Sequence, residues 1–327
     1  MELPGAQIAV TGAGGFIGLA VCHALSAAGA EPVGVDFSAD ARDAVLAAGG
    51  RFALADVRDR AAITAALDGC DGVLHTAALL GDAAGMQAQV EVNVRGTVNV
   101  LDAAQAAGVQ RVVHVSSVAT WGYDFATDIP EDSAARVCGT PYIDTKTASQ
   151  LIALRRGAAV VRPGDVYGPR SLPWTLRPLQ TLRSGRFFLP GDGSGLLTLV
   201  YIDDLVDCLL LALQHPGAGG KAVTAWDGHA VTTRDYFSRY ARMLGQDGVR
   251  TLPAPLLRAA ALGMELRARV TGTTPDVTRE ALTYISRRAV YPNDAARELL
   301  GWEPRVDLGE GMRRTEAWLR EEGLLTV

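Results

Sequence analysis

A chain of 327 residues that is 48% hydrophobic can bury one large core, or a core with a smaller appended lobe. Its 31 basic and 36 acidic residues give a formal net charge of -5, which offers no basic surface for a phosphate backbone and argues against nucleic acid as a partner. The longest apolar stretch, 205–213, is interrupted by Asp207 and too short to span a bilayer; the N-terminus lacks signal-peptide character; and the separated Cys22, Cys70, Cys138 and Cys208 suggest neither disulfides nor a metal site, so a cytoplasmic protein is expected.

In chain order, the apolar run Gln7–Thr11 reads as a strand and Phe16–Ala28 as a helix, joined by Thr11-Gly-Ala-Gly-Gly-Phe-Ile-Gly18. In that context Gly12 permits a tight turn, Gly15 lets backbone approach a pyrophosphate, and Gly18 lets the helix pack closely on the strand. The amides of the helix N-terminus then face negative charge. A second strand, Glu31–Asp36, ends on an acid placed to accept hydrogen bonds from the adenosine ribose and to repel a 2′-phosphate. A solvated acid after a strand is the plainer alternative. NAD is therefore the expected cofactor, with NADP as the alternative.

Strands at Arg51–Ala55, Gly72–Thr76, Arg111–Ser116 and Ala158–Arg162 alternate with helices at Arg60–Leu67, Gln87–Ala107 and Tyr142–Arg155. That rhythm predicts an α/β fold: a doubly wound parallel sheet (Rossmann) covered on both faces. In the longest helix, Val90, Val94, Val98 and Leu101 form a stripe that the sheet is expected to bury. Ala103, Ala104, Ala106 and Ala107 would be left as a small-residue surface.

Ser117 follows the fifth strand, where residues line the ligand crevice and can donate to a substrate oxygen; Ser116 and Ser117 could equally satisfy backbone groups at the strand end. Tyr142-Ile-Asp-Thr-Lys146 sets a phenol and an ammonium on one helix face. A phenol, with its ordinary pKa of about 10, needs such a cation, and the positive nicotinamide ring, to act near neutral pH. Of the 31 basic residues only Lys146 and Lys221 are lysine, so the motif position has a compact ammonium in a chain that otherwise uses arginine.

Beyond Pro163 proline and glycine become frequent, followed by a helix at Asp203–Leu213 and a strand at Lys221–Trp226. Thr232 and Asp235 read as the cap of a helix that runs through Leu244 and stops at Gly245. The apolar segment 255–266 reads as an amphipathic helix packed on its own lobe, ahead of a lid or a membrane-surface contact. The expected division is a dinucleotide-binding domain at 1–168, to which 199–228 returns, and a smaller, mainly helical substrate lobe at 169–198 and 229–327.

Together with Asp56-Val57, His75-Thr-Ala-Ala78, Asn93-Val-Arg-Gly-Thr97, Arg162-Pro-Gly-Asp-Val-Tyr-Gly-Pro169 and the closing segment Ala296–Pro304, these motifs resemble the extended short-chain dehydrogenase/reductase (NAD-dependent epimerase/dehydratase) family over nearly the whole chain. The resemblance implies that Ser117, Tyr142 and Lys146 are catalytic. It implies that Phe16, Ile17, Asp56, Val57, Ala77, Ala78 and Asn93 line the dinucleotide, that Lys146 also reaches its ribose, and that Pro163 and Gly164 lie beside the nicotinamide amide. A small-molecule substrate and a homodimer paired through the two long helices are implied as well. Two departures narrow the reaction. Val118 and Ala119 stand where sugar-nucleotide dehydratases carry acids, and Leu197 stands where sugar-nucleotide enzymes carry an arginine. The chain looks closer to the 3β-hydroxysteroid dehydrogenase-like branch. The expected function is hydride transfer between NAD(H) and a secondary alcohol or ketone of a partly apolar molecule, of hydroxysteroid, β-keto acid or aryl ketone type. A nucleotide-sugar 4-epimerase uses the same residues and is the alternative; a non-catalytic dinucleotide sensor would not need Tyr142 and Lys146.

Overall fold

The computed structural model describes residues 1–123, 128–273, 275 and 277–325. Its first half runs β1 (Gln7–Thr11), α1 (Phe16–Ala27), β2 (Glu31–Asp36), α2 (Arg42–Ala47), β3 (Arg51–Leu54), α3 (Arg60–Ala66), β4 (Gly72–His75), α4 (Gly85–Gln89), α5 (Gly96–Ala106), β5 (Arg111–Val115), α6 (Pro141–Arg155) and β6 (Ala159–Pro163). Successive strand residues point to opposite faces, and here both faces are apolar, so both need cover. Ile8, Val10, Leu74 and Val113 pack with Leu25 on one side; Ala9, Val33, Val35 and Val73 pack with Ile63 and Val100 on the other.

The chain continues through β7 (Asp165–Tyr167), α7 (Arg177–Arg183), β8 (Phe188–Pro190), β9 (Leu196–Leu197), β10 (Leu199–Tyr201), α8 (Ile202–Gln214) and β11 (Ala222–Ala225). The last strand joins the edge of the main sheet, whose order is β3-β2-β1-β4-β5-β6-β11 with every pair parallel. The order reverses between β1 and β4, which opens a crevice at the C-terminal ends of those strands. Thr11 and His75, the last residues of the two strands, are register partners there.

One expectation about the long helix fails. Residues 87–107 form α4, a π-helical turn at Val90–Arg95, and α5. A π turn holds more residues than an α turn, so it shifts the phase of everything after it. Of the expected stripe only Leu101 is buried; the buried face is Asn93, Gly96, Thr97, Val100, Leu101, Ala103 and Ala104, while Val90, Val94 and Val98 are only half-buried. Ala103 and Ala104 are therefore core rather than a surface for pairing. Gly96 permits the close approach, because a Cβ there would lie 2.7 Å from Val57 Cγ2.

The remaining elements are β12 (Val231–Thr232), α9 (Thr233–Met243), β13 (Arg250–Leu252), α10 (Ala254–Thr271), α11 (Arg279–Ile285), α12 (Asp294–Leu300) and α13 (Leu308–Glu321). Three two-stranded pairs, β7–β10, β9–β12 and β8–β13, brace this region. Thr232 caps α9 by accepting from the Asp235 amide at 3.1 Å, and its hydroxyl donates to the Asp235 carboxylate at 2.7 Å. The closing segment is tied down by Asp204 of α8, which accepts from the Arg305 and Val306 amides through its carboxylate and from the Trp302 indole through its carbonyl. Helix α10 departs from the packed helix expected at 255–266: it buries Ala261 and Ala268 but leaves Leu256, Leu262, Leu266 and Val270 exposed. Among the described residues, no helix is long and apolar enough to cross a membrane.

Candidate active site

The crevice is built on a turn that tolerates no side chains. Gly12 has φ +70°, and a Cβ there would meet the Ala77 backbone at 2.9 Å. A Cβ at Gly18 would lie 2.2 Å from the Gly12 carbonyl oxygen, so only glycine lets α1 pack against the turn. Gly15 is the N-cap of α1, which Phe16 and Ile17 then begin, and it leaves the helix amides pointing at the crevice. Gly14, overlooked in the sequence, is just as constrained: its Cβ would sit 2.5 Å from Ala41 Cβ. Asp36, buried at the end of β2, accepts from the Gly14 amide at 2.9 Å and from the Ser38 amide at 3.0 Å. A carboxylate thus stands beside the glycine turn, and this cradle fits the pyrophosphate and ribose of a dinucleotide.

Around the turn, the loop that follows β4 is clamped from below. Ala77 donates its amide to Thr11 Oγ1 at 3.4 Å, and Ala78 leads into Leu79, whose amide donates to Asn93 Oδ1 at 2.8 Å. The Asn93 amide also donates to Gln89 Oε1 at 2.9 Å and to Thr145 Oγ1 at 3.1 Å. Asn93 therefore ties the loop to the helix that carries Tyr142 and Lys146. Asp56 is engaged by the Arg58 guanidinium, which holds its carboxyl below the usual range, and Val57 packs under Gly96.

Two imidazoles lie beneath the crevice. His75 Nδ1 is 2.7 Å from Thr11 Oγ1, and Nε2 is 3.0 Å from Thr97 Oγ1. The Thr97 hydroxyl already donates to the Asn93 carbonyl, so His75 donates through Nε2 and accepts through Nδ1. Burial, reinforced by the Lys146 charge, pushes His75 down to about 3. His114, with its ring 5.2 Å away, is likewise driven well below its ordinary value by burial first. Both rings are neutral struts.

The two serines after β5 turn different ways. Ser116 turns inward and donates to Gln150 Oε1 at 2.8 Å. Ser117 starts the 3₁₀ turn Val118–Trp121, accepting from the Ala119 amide at 3.1 Å, and its hydroxyl is within hydrogen-bond reach of the Tyr142 phenol. Lys146 is 3% exposed and donates to the Val115 carbonyl at 2.7 Å. Burial lowers it to about 8. The phenol itself is held above its ordinary value by burial, against the pull of Ser117 and with a further upward push from Asp82. Burial of the phenol outweighs the pull of Ser117 here, while the Lys146 ammonium donates to the Val115 carbonyl. Pro163 ends β6, and at Gly164 a Cβ would lie 2.1 Å from the Thr198 carbonyl, which fixes the crevice wall opposite the glycine turn.

Comparison with known proteins agrees with this construction. The sequence profile of the NAD dependent epimerase/dehydratase family matches residues 8–225. The chain belongs to that family. A 4-hydroxy-2-methyl-3-oxo-4-farnesyl-3,4-dihydroquinoline-1-oxide ketoreductase from Stigmatella aurantiaca is 30% identical, covering 93% of this chain and 93% of its own. A UDP-glucose 4-epimerase from Mycolicibacterium smegmatis is 29% identical, covering 96% of this chain and 98% of its own. A dTDP-glucose 4,6-dehydratase from Streptomyces venezuelae, solved with NAD bound, aligns with a TM-score of 0.78 at 26% identity over 98% of each chain. Similarity at these levels places the chain in an NAD-dependent enzyme family while its relatives carry out different reactions.

Around Tyr142 lie residues the sequence did not single out. Asp82, in the loop after β4, accepts from the Tyr142 amide at 2.8 Å and so caps α6. Its carboxyl is also within hydrogen-bond reach of Glu280 on α11, and burial together with Asp82 pushes Glu280 up to about 8. Tyr123, near the Tyr142 phenol, packs edge-on against Tyr284 at 4.5 Å, and Tyr284 in turn meets Trp174 at 5.8 Å. Behind these rings Arg287 pairs with Asp165, both buried, and stacks over Tyr284 at 4.1 Å. Asp82 was findable, since it follows a strand end that borders the crevice. Tyr284 and Arg287 were not: they reach Asp165 across 119 and 122 positions of sequence.

Proposed function

We propose that this protein is an NAD(H)-dependent ketoreductase for an uncharged, largely apolar ketone, working through Ser117, Tyr142 and Lys146. The observation that carries this reading is the composition of the wall beyond Tyr142. Tyr123, Tyr284 and Trp174 offer aromatic faces, and the buried cation behind them, Arg287, already has Asp165 as its counter-ion. A diphosphate would need a free guanidinium at such a wall. Asp82 and Glu280 set two carboxyls beside the catalytic phenol, which disfavours an anionic substrate and, among the candidates, favours hydroxysteroid or aryl ketones over β-keto acids. The positions that carry acids in dehydratases are filled by Val118 and Ala119, each 1% exposed, so no acid reaches the site from that turn.

NAD(H), when bound, accepts or delivers the hydride at the substrate carbon. In the reducing direction Ser117 and Tyr142 hydrogen-bond the carbonyl oxygen, and the Tyr142 hydroxyl gives up its proton to that oxygen as the new C–H bond forms. A protonated phenol suits this role. Lys146 supplies the positive charge that stabilises the phenolate left behind, and the carboxylate of Asp36 at the ribose end favours NAD over NADP.

The test is NADH oxidation with purified protein against aryl ketones, ketosteroids and β-keto acids, with UDP-glucose as a control. Turnover of neutral ketones is expected. Conversion of UDP-glucose to UDP-galactose without added cofactor would replace this reading with the epimerase.

A further inference from the structure

Helix α10 has two apolar faces, and the protein covers one of them. Ala261 and Ala268 are buried, with Leu257 and Met264 half-buried beside them. On the opposite side Pro255, Ala259, Leu262, Leu266 and Val270 follow one another at spacings of four, three, four and four residues, and all are exposed. Leu262, Leu266 and Val270 are 39%, 51% and 87% exposed. A helix apolar on both sides calls for a second apolar neighbour. The arginines decide what that neighbour is. At 100° per residue, Arg258 and Arg267 fall on the two borders between the faces. Both are exposed, and neither takes part in an ion pair among the described residues. The acid of this helix, Glu265, is turned to Arg279 of α11 through a 2.9 Å ion pair. The bare stripe is thus edged by uncompensated positive charge on both sides.

We infer that α10 is a docking surface for an anionic lipid membrane, lying flat with its leucine stripe in the acyl boundary and Arg258 and Arg267 at headgroup level. Long arginine side chains at the borders of an apolar stripe reach up to lipid phosphates while their stems stay in the apolar layer. A second copy of the chain suits the stripe less well, because it would gather four guanidinium groups at one seam to which α10 itself brings no free carboxylate. The surface is separate from the reacting groups: α10 rests on α11, and α11 carries Glu280 and Tyr284. The inference holds whichever ketone is the substrate.

Co-sedimentation of the full chain with phosphatidylcholine–phosphatidylglycerol vesicles and with pure phosphatidylcholine vesicles tests it. Binding to the anionic vesicles is expected, and Arg258→Gln with Arg267→Gln should weaken it about 25-fold, about fivefold per arginine. Leu262→Asp with Leu266→Asp should abolish it while NADH binding by the same variant stays unchanged. If wild-type protein stays in the supernatant with both vesicles, the inference is wrong. It is equally wrong if the chain self-associates through a contact that Leu262→Asp breaks and the anionic vesicles do not compete with. The arginine variant changes only exposed side chains, so it keeps the test decisive should the aspartates impair folding.

Discussion

The cofactor side and the lid side of the crevice are held by different means. Around the glycine turn, Asp36, His75 and Asn93 are tied into hydrogen-bond networks, and the strands beneath them are sealed on both faces. The lid, α10 joined to α11 by the Arg279–Glu265 bridge, is attached to the body through the Asp82–Glu280 carboxyl pair and through Tyr284 on Asp165 and Arg287, and α10 leaves Leu256, Leu262, Leu266 and Val270 exposed. Positions that must hold a common cofactor are over-determined, whereas the surfaces that meet a variable substrate rest on a few polar contacts that condition or mutation can undo.

The largest effect is expected at the meeting point of the two sides. Tyr142→Phe should lower kcat at least about 100-fold while NADH still binds, as judged by fluorescence titration. If more than about a tenth of kcat survives, the proton comes from elsewhere.

Next is the junction under the lid. Asp165→Asn leaves Arg287 charged and buried without its counter-ion, and denaturant unfolding should show a loss of about 3–5 kcal/mol. A loss below about 1 kcal/mol would mean that water reaches Arg287 and that the lid is looser than drawn here.

On the cofactor side, kcat/KM with NADH should exceed that with NADPH, and Asp36→Ala should narrow the ratio by about tenfold, an energy of roughly 1.4 kcal/mol. Wild-type preference for NADPH would remove Asp36 from cofactor selection.

The pH response should separate the two sides. Glu280 titrates above its ordinary range, so the proton it shares with Asp82 strengthens the lid contact fully below the normal carboxyl value and is lost as pH rises through about 8. Asp82, Glu265 and the neutral Tyr123 phenol all face it, and the two acids repel it once it ionises. Protection from hydrogen exchange across residues 254–285, taken relative to the intrinsic base-catalysed rate at each pH, should therefore fall between pH 7 and 9, and Glu280→Gln should flatten that change. A fall in turnover that persists in Glu280→Gln would belong to Lys146, whose ammonium is also lost near 8. Protection that stays constant over this range would show that the carboxyls do not hold the lid.

The smallest perturbation concerns assembly. With Ala103 and Ala104 in the core, the surface available for helix pairing is the half-buried Val94 and Val98 together with Leu151, which is 47% exposed. We propose a two-fold dimer on that face, for which light scattering should give about twice the 34.4 kDa of one chain. A mass near 34.4 kDa would reject it.

Much of the cofactor side was legible in the sequence because its signals are local. A strand, a glycine turn and a helix occupy twelve consecutive positions from Gln7 to Gly18, and the strand bounds Gln7–Thr11 and Glu31–Asp36 coincide with those observed. Tyr142 and Lys146 were legible for the same reason, since one helical turn joins them. The phase of residues 87–107 was not, because a π turn has no periodic signature in advance. Nor could sequence alone turn Ser116 to Gln150, or place Lys146 on the Val115 carbonyl. Those outcomes depend on which groups the sheet brings within 3 Å once it has formed. The lid marks the limit most clearly. Composition already showed an apolar segment at 255–266, but which face the rest of the chain covers, and that Glu280, Tyr284 and Arg287 come to stand over a tyrosine about 140 positions earlier, is decided by long-range packing, to which the local pattern of a sequence is blind.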